Sequence, residues 1–291
     1  MAVRRRKHDN GARQNASERD LSILSRRPTA WLTEPRWYLW DGGFLLLGRS
    51  EGIVALHAHH AIQIVIGLDG EPAICAKGAN WRSGPGFVVL PDVPHSYDGR
   101  GAANAMLFVD PESNEGEWLR TSLDQEITFV LDARLAECAS EIQRFRERPL
   151  RDTELHGLIR HCVHALCAGA PPSRRRDSRI TASLRSIQES EDLRVSLEDV
   201  AATVFLSASR FAHLFGQQLG LPFRRYILWR KLARAMLAIG RGESMTDAAQ
   251  AADFSDAAHL TRTFNQMFGI APSALMRGEF FEIGSPFGAG D

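Results

Sequence analysis

The 291-residue sequence has no apolar run long enough to cross a bilayer. Its longest stretches, such as FLLLG at 44–48, fall far short of the roughly 20 residues that a spanning helix needs. The basic opening MAVRRRKHDNGARQ is followed by no apolar segment, so it does not read as a secretory leader. Four cysteines (Cys75, Cys138, Cys162 and Cys167) form no Cys-x-x-Cys pair and no framework spacing. That argues against a disulfide-stapled scaffold and predicts reduced, mostly buried thiols in a cytoplasmic protein. Nucleophile–base pairs, a phosphate loop and a Gly-rich cofactor turn are also missing, so neither an enzyme nor a cofactor is expected.

Net charge is absent as well, with 35 Lys and Arg against 35 Asp and Glu. The balance hides a gradient: +5 over 1–30, −7 over 31–173 and +2 over 174–291. An acidic middle between basic ends points to parts with different partners, although charge alone does not establish nucleic-acid binding. What is present, 44% apolar and 24% charged residues, describes a soluble globular chain long enough for two domains. GAPPSRRRDSR at 169–179 reads as a linker, because its prolines resist helix and its arginines keep it solvated. Before it, WYLW, FLLLG, GIVALHAH, AIQIVIG, GFVVLP and AMLFVD are short strands punctuated by turns, as in a β-barrel or sandwich over 31–131. Residues 132–148 and 153–168 follow as two amphipathic helices with Leu135, Ile142, Phe145, Leu155, Leu158, Ile159, Val163 and Leu166 on their apolar sides. Residues 1–30 have no periodicity and read as a disordered basic arm, 180–279 are all helix, and 280–291 are left as a tail. The fold class is α+β, with a sheet domain, two helices and an all-α domain.

The helical part repeats itself. SLEDVAATVFLS from Ser196 returns 48 residues later in SMTDAAQAADFS from Ser244, aligning Ser196 with Ser244, Asp199 with Asp247, Ala201 with Ala249 and Ser207 with Ser255. Ser-x-x-Asp suits a helix start: the hydroxyl accepts from a first-turn amide, and Asp sits at the positive end of the helix dipole. Alanine in mid-helix leaves room for a crossing helix. A tight turn follows (Phe205-Leu206-Ser207 or Asp253-Phe254-Ser255), and a second helix begins at the serine. The pattern is a helix–turn–helix written twice around one longer helix, PFRRYILWRKLARAMLAI at 222–239, with Pro222 at its start. On repeat and spacing alone, a bundle that merely packs is the alternative.

Residues 180–277 resemble the DNA-binding domain of the arabinose-regulator (AraC/XylS) family over essentially its full length, most specifically in DFSDAAHLTRTFNQMFGIAP. The resemblance implies that 208–218 and 256–267 enter two successive major grooves, about 34 Å apart. By the family pattern Ser209, Ala212 and His213 in the first helix, and Ala258, His259 and Arg262 in the second, face bases. Arg210, Gln217 and Asn265 complete the expected DNA-binding set, with Gln217 and Asn265 at the phosphate edge. Arg262 suits bidentate contact to guanine, and a backbone-phosphate contact is its alternative. Departures from the family are His213 for Arg, Gly216 for a basic residue, Asp253 for a turn Gly and Leu275 for an aromatic. They suggest weaker DNA contacts that depend on a dimer.

GIVALHAHHAIQIVIGLDG and GPGFVVLPDVPHSYDG are similar to a cupin barrel: His57-x-His59, Gln63, six residues to Gly70, and a later His95. Three readings of these four residues stand side by side: an effector site without metal, a metal site, and structural histidines at strand ends. Metal-binding cupins use three imidazoles and a carboxylate, and Gln63 replaces that carboxylate. The effector site is the reading adopted; His57, His59, Gln63 and His95 remain the candidate metal ligands, within an alternative metal-dependent cupin enzyme or metal sensor. The face carrying Val54, Leu56, Ile62, Ile64 and Ile66 is the more apolar, so the resemblance, rather than periodicity, puts the histidines inside. His60 points the other way and receives no role. The layout implies a regulator of transcription, an activator by preference, with double-stranded DNA, a small-molecule effector and RNA polymerase as partners. It further implies a homodimer formed through 132–168, and no membrane.

Overall fold

A computed structural model describes residues 32–40, 43–131, 133–144, 148–168, 176–190, 192–273 and 278–284. The basic arm at 1–30, most of the expected linker, and Phe145 lie outside these residues. Strands β1 (Leu32–Trp40), β2 (Gly43–Ser50), β3 (Ile53–His57), β4 (Ile62–Gly67), β5 (Ala73–Ala76), β6 (Arg82–Ser83), β7 (Gly86–Val89), β8 (His95–Asp98), β9 (Ala103–Val109) and β10 (Ile127–Phe129) are joined by β11 (Glu279–Glu282) from the far end of the chain. They make a seven-stranded sheet in the order β10-β7-β4-β9-β2-β1-β11 and a four-stranded sheet β3-β8-β5-β6. Pairing is antiparallel except for β11, which adds in parallel to β1 with Trp37 opposite Phe280. The segment read as a tail therefore closes an edge of the sheet.

Side chains alternate across a strand, and here both faces are covered. Phe44, Leu46, Val65, Phe87, Met106 and Phe108 point toward Val54, Ile74 and Tyr97 of the smaller sheet. Leu45, Leu47, Ile62, Ile64, Ile66 and Leu107 point outward, where α1 (Asn114–Ser122), α2 (Ala133–Arg144) and α3 (Asp152–Leu166) cover them with Leu119, Leu135, Ile142, Leu155, Leu158, Ile159, Val163 and Leu166. At about 1.5–3 kcal/mol for each large apolar side chain buried, the outer face holds these helices on the sheet. The apolar sides of the expected dimerisation segment are thus spent within the chain. All four cysteines are free thiols, three of them buried. No helix among the described residues is long and apolar enough to cross a membrane.

The C-terminal part consists of α4 (Ser178–Glu189), α5 (Leu197–Thr203), α6 (Ala208–Leu219), α7 (Phe223–Gly240), α8 (Met245–Ala251) and α9 (Ala257–Phe268). It does not have one core. Ile180, Val200, Phe211, Phe215 and Leu219 close a core with Phe223, Tyr226 and Ile227 from the first turns of α7. Trp229, Leu232, Met236 and Ile239, farther along α7, join Ala248, Phe254, Leu260, Phe264 and Phe268 in the core of the sheet domain. One helix therefore threads two cores, and the second helix pair is continuous with the sheets.

Candidate DNA-binding surface and sensor site

The repeated sequence produces repeated geometry. Ser196 accepts from the amide of Asp199 at 3.0 Å and Ser244 from that of Asp247 at 3.2 Å, while each hydroxyl donates to the same aspartate. Such caps are worth about 0.5–2 kcal/mol each. The turn residues Phe205 and Asp253 occupy the left-handed region in both copies, with φ of 57° and 59°. The starts of the second helices differ: Ser207 caps α6, but α9 is capped by Asp256, one residue past the expected serine. Asp256 accepts from the amide of His259 at 2.6 Å, and Ser255 instead bonds the His259 ring at 3.1 Å.

On α6, Ser209, Arg210, His213 and Gln217 are exposed and Ala212 is half-buried. On α9, Ala258, Arg262 and Asn265 are exposed and His259 is half-buried against Phe254. The opposite faces, Phe211 and Phe215 or Leu260, Phe264 and Phe268, are buried. Asp253, a departure from the family pattern, is a junction rather than a weak turn. It accepts from the Leu193 amide and Arg194 Nε, both at 2.8 Å, and its carbonyl accepts from Lys231 Nζ at 2.9 Å. Burial pushes its carboxyl up, but the Leu193 amide and Arg194 hold it below the ordinary value. Leu193 precedes the first helix pair, so this residue ties the two pairs together.

His57, His59, Gln63 and His95, placed together by resemblance, are brought together in space and all buried. His57 and His95 are register partners between β3 and β8, with rings 4.3 Å apart. Each imidazole holds a backbone carbonyl with Nδ1: His57 that of Ala55 at 2.8 Å, His59 that of Ala61 at 3.0 Å, and His95 that of Val93 at 2.8 Å. Gln63 Oε1 lies 3.1 Å from Nε2 of His59 and 3.0 Å from Nε2 of His95. Burial and the neighbouring imidazoles push His57 down to about 3 and His59 well below its ordinary value, and burial lowers His95. All three are neutral at physiological pH. Gln63 is inward because α2 and α3 cover Ile62, Ile64 and Ile66, whereas Val54, expected on that same outer face, lies inside with the histidines and Leu56 is exposed.

Above this cluster lies a seam with α9. The Phe268 ring sits 6.1 Å from His59 and Phe44 and 6.2 Å from Phe108. Gly269, the left-handed cap of α9, fits so closely that a Cβ there would lie 2.6 Å from the carbonyl of Ala55 and 3.0 Å from His57 Nδ1. Between them remains a cavity of ≈ 30 Å³, lined by Trp37, Phe44, His57, Gln63, Phe108 and Phe268 among others.

A second cluster was not visible in the sequence. His60 is buried, with Nδ1 3.2 Å from Asp92 and Nε2 3.0 Å from Glu112. Burial alone would lower it, but the two carboxylates carry it up to about 10. Glu112 is held down to about 2, since His60 outweighs burial, whereas burial and the charge of Glu112 push Asp110 up. Arg225 of α7 meets Asp92 at 2.9 Å, and Arg176 donates to the Glu112 carbonyl at 3.0 Å. This network anchors the start of α7 to the sheet domain. Only its separation in sequence hid it.

Residues 200–278 match a family model described as a helix-turn-helix domain. The probable transcriptional regulator LumQ of Photobacterium leiognathi is 23% identical over 77% of this chain and 92% of its own length. The transcriptional activator RhrA of Rhizobium meliloti is 33% identical over 28% of this chain and 27% of its own. ToxT from Vibrio cholerae, solved with an unsaturated fatty acid bound, shares the fold with a TM-score of 0.54 at 11% identity, covering 80% of this chain and 94% of that one. With two capped helix pairs that expose one polar face each, the chain carries a helix-turn-helix domain over residues 200–278 and is similar to transcriptional regulators.

Proposed function

We propose that the chain binds specific DNA sites through α6 and α9 and regulates transcription in response to a small ligand at the seam. The observation that carries the reading is the paired exposure of Ser209, Arg210, His213 and Gln217 with Ala258, Arg262 and Asn265 on two helices of one repeat. Each helix offers a polar edge to one major groove. Base readout is assigned to Arg262, whose guanidinium can take guanine O6 and N7 together, at about 1–3 kcal/mol of discrimination. Arg210, Gln217 and Asn265 position the helices on phosphates.

The sheet domain acts as a cupin-like sensor whose polar anchor is His57, His59, Gln63 and His95. The cavity of ≈ 30 Å³ is far below the roughly 300–1,000 Å³ of an organic-ligand pocket. An organic effector therefore enters only as Phe268 and the end of α9 withdraw, which couples occupancy to the second DNA-reading helix. The fatty-acid complex of ToxT, the same fold, supports a ligand-controlled regulator. Activation, contact with RNA polymerase and pairing of two copies on DNA complete the reading. Activation draws support from RhrA, which carries a related domain.

The test is selection of genomic fragments by the full-length protein at stated, near-physiological salt, repeated with Arg262→Ala. Enrichment of fragments sharing two boxes about one helical turn apart, lost in the variant by about 5–100-fold in affinity at an unchanged melting temperature, is expected. Wild-type-like enrichment by the variant removes Arg262 from base readout.

A further inference from the structure

We propose that Asp253 is a positioning residue for DNA reading: its carboxylate sets the spacing of the two boxes that α6 and α9 contact together. The inference rests on the proposed binding of DNA by both helices, and it adds a residue that touches no DNA.

Asp253 and Phe205 hold the same turn position in the two copies of the repeat, and their backbones agree, with φ of 59° and 57°. A bulky aromatic residue reaches that conformation, so the turn itself makes no demand for a carboxylate. The difference lies in what the side chains touch. Phe205 has 97% of its surface exposed. The Asp253 side chain has 8% exposed, and its oxygens are taken by the segment that leads into the first helix pair. Oδ2 accepts from the Leu193 amide and Oδ1 from Arg194 Nε, each at 2.8 Å. Arg234 of α7 brings Nη1 to 3.8 Å from the carboxylate and donates through Nη2 to the Ser190 carbonyl at 2.7 Å. Lys231, one turn earlier on α7, donates to the Asp253 carbonyl at 2.9 Å. The α8–α9 turn, the segment before α5 and the middle of α7 therefore meet at one residue.

The neighbours show what is joined. Leu193 is buried in the core of the first pair, and Phe254, next to Asp253, in the core that holds the second. The bond from the Leu193 amide to Asp253 thus runs from one core to the other without passing through α7. A single connecting helix fixes the distance between two bodies but leaves them able to bend and turn about it. A second tie beside the helix closes a triangle and removes that freedom. A hydrogen bond to a carboxylate is roughly twice as strong as one between neutral groups, and a buried carboxylate without its partners is costly. The tie therefore opposes any tilt of α7 that would bring α6 and α9 closer together or farther apart. On a duplex, each base pair added between two boxes moves the second by about 3.4 Å along the axis and turns it by about 35°. Rigidly joined pairs accept one spacing, and loosely joined pairs accept several. Glycine, which the family pattern puts at this position, would suit the left-handed turn but supply no tie.

The test compares full-length wild type, Asp253→Gly, Asp253→Asn and Phe205→Gly by fluorescence anisotropy at one stated salt concentration. The duplexes carry two boxes selected by wild type, at their native spacing and with one or two base pairs inserted or removed. Wild type and Phe205→Gly should lose about 5–100-fold in affinity when the spacing changes by one base pair, the worth of one bidentate base contact. Asp253→Gly should bind the native spacing more weakly, yet lose less than about threefold on the same change, below the worth of even the weakest such contact. Asp253→Asn, which still offers an oxygen to the Leu193 amide, should keep the wild-type preference. In the free protein, hydrogen exchange at Leu193 should quicken in Asp253→Gly and not in Phe205→Gly. An Asp253→Gly protein as strict about spacing as wild type overturns the proposal, whatever its melting temperature, because stability alone does not alter a ratio of affinities. So does unchanged exchange at Leu193 in that variant, and an Asn variant as permissive as the Gly variant overturns the assignment to the Leu193 bond. A wild type that binds the boxes with no preferred spacing refutes the positioning role and leaves DNA binding intact. A wild type that selects no DNA refutes the DNA reading itself, and the proposal with it.

Discussion

A single methyl group at Gly269 tests the seam between α9 and the sheet domain, because a matched control exists in the same molecule. Gly220 and Gly269 occupy corresponding left-handed caps of α6 and α9, with φ of 82° and 67°. Replacing either with alanine costs the left-handed penalty of about 1–2 kcal/mol. Around Gly220 a Cβ meets nothing within 4 Å, so the cost ends there. At Gly269 the Cβ falls 2.6 Å from the Ala55 carbonyl and 2.7 Å from Val54 Cγ1. Overpacking of this kind adds roughly 1–3 kcal/mol, and the contacted atoms are backbone and a β-branched side chain in β3, which cannot swing aside. Urea unfolding of Gly269→Ala should therefore show a loss about 1–3 kcal/mol larger than Gly220→Ala. Hydrogen exchange should accelerate in both Ala55–His57 and Phe264–Ile270 for Gly269→Ala alone. Equal losses for the two variants, with β3 exchange unchanged, would refute the docking of α9 on the histidine cluster.

Phe205, held at φ 57° with 97% of its surface exposed, carries a strain that Gly would relieve. Relief of about 1–2 kcal/mol, less about 0.5–1 kcal/mol of added chain entropy, predicts that Phe205→Gly raises stability by up to about 1.5 kcal/mol. A lower melting temperature would show that the ring makes a stabilising contact. Glu112→Gln removes one of the two carboxylates that face buried His60 and should cost about 3 kcal/mol at pH 7, toward the low end for a broken buried pair because Asp92 remains. Since Glu112 is held down to about 2, against an ordinary value near 4.3, its contribution is complete above that ordinary value and disappears as pH falls through 2. The gap in stability between wild type and Glu112→Gln must narrow between about pH 4 and pH 2; a gap that widens on acidification contradicts the assigned charge state.

The helix pairs were legible because their signals are local. Ser196, Asp199, Ser244 and Asp247 interact within one turn, so spacing alone carries the cap. The same locality explains the slip at α9, where Asp256 beside Ser255 offered two acceptors one residue apart and the carboxylate took the cap. The inward histidines were not legible from periodicity, since the face of Ile62, Ile64 and Ile66 is the more apolar and by itself reads as the inner one; what decides is α2 and α3, packed on those isoleucines from more than 60 residues away. His60 and Asp253 were misjudged for a related reason. Their partners, Glu112 and Arg225 for one cluster and Leu193 and Arg194 for the other, sit at separations that no repeat or period encodes. Strand β11 was missed because four residues, Glu279–Glu282, are too few to show alternation, and their strand character comes from Trp37 and Tyr38 alongside.

The helix that threads two cores has a mechanical consequence. Eighteen residues from Phe223 to Gly240 make a rod about 27 Å long at 1.5 Å per residue. One end is embedded with α9 in the sheet domain, and the other carries α6 and its separate core. A tilt of about 5° about the embedded end would displace the other end by about 2 Å over that length and would have to break the contact of Arg225 with Asp92 there. The rod is thus a lever arm, with the seam as its fulcrum. On the proposed reading of DNA, a displacement too small to unfold anything at the histidines would change the spacing between α6 and α9, and the length of α7 sets the gain.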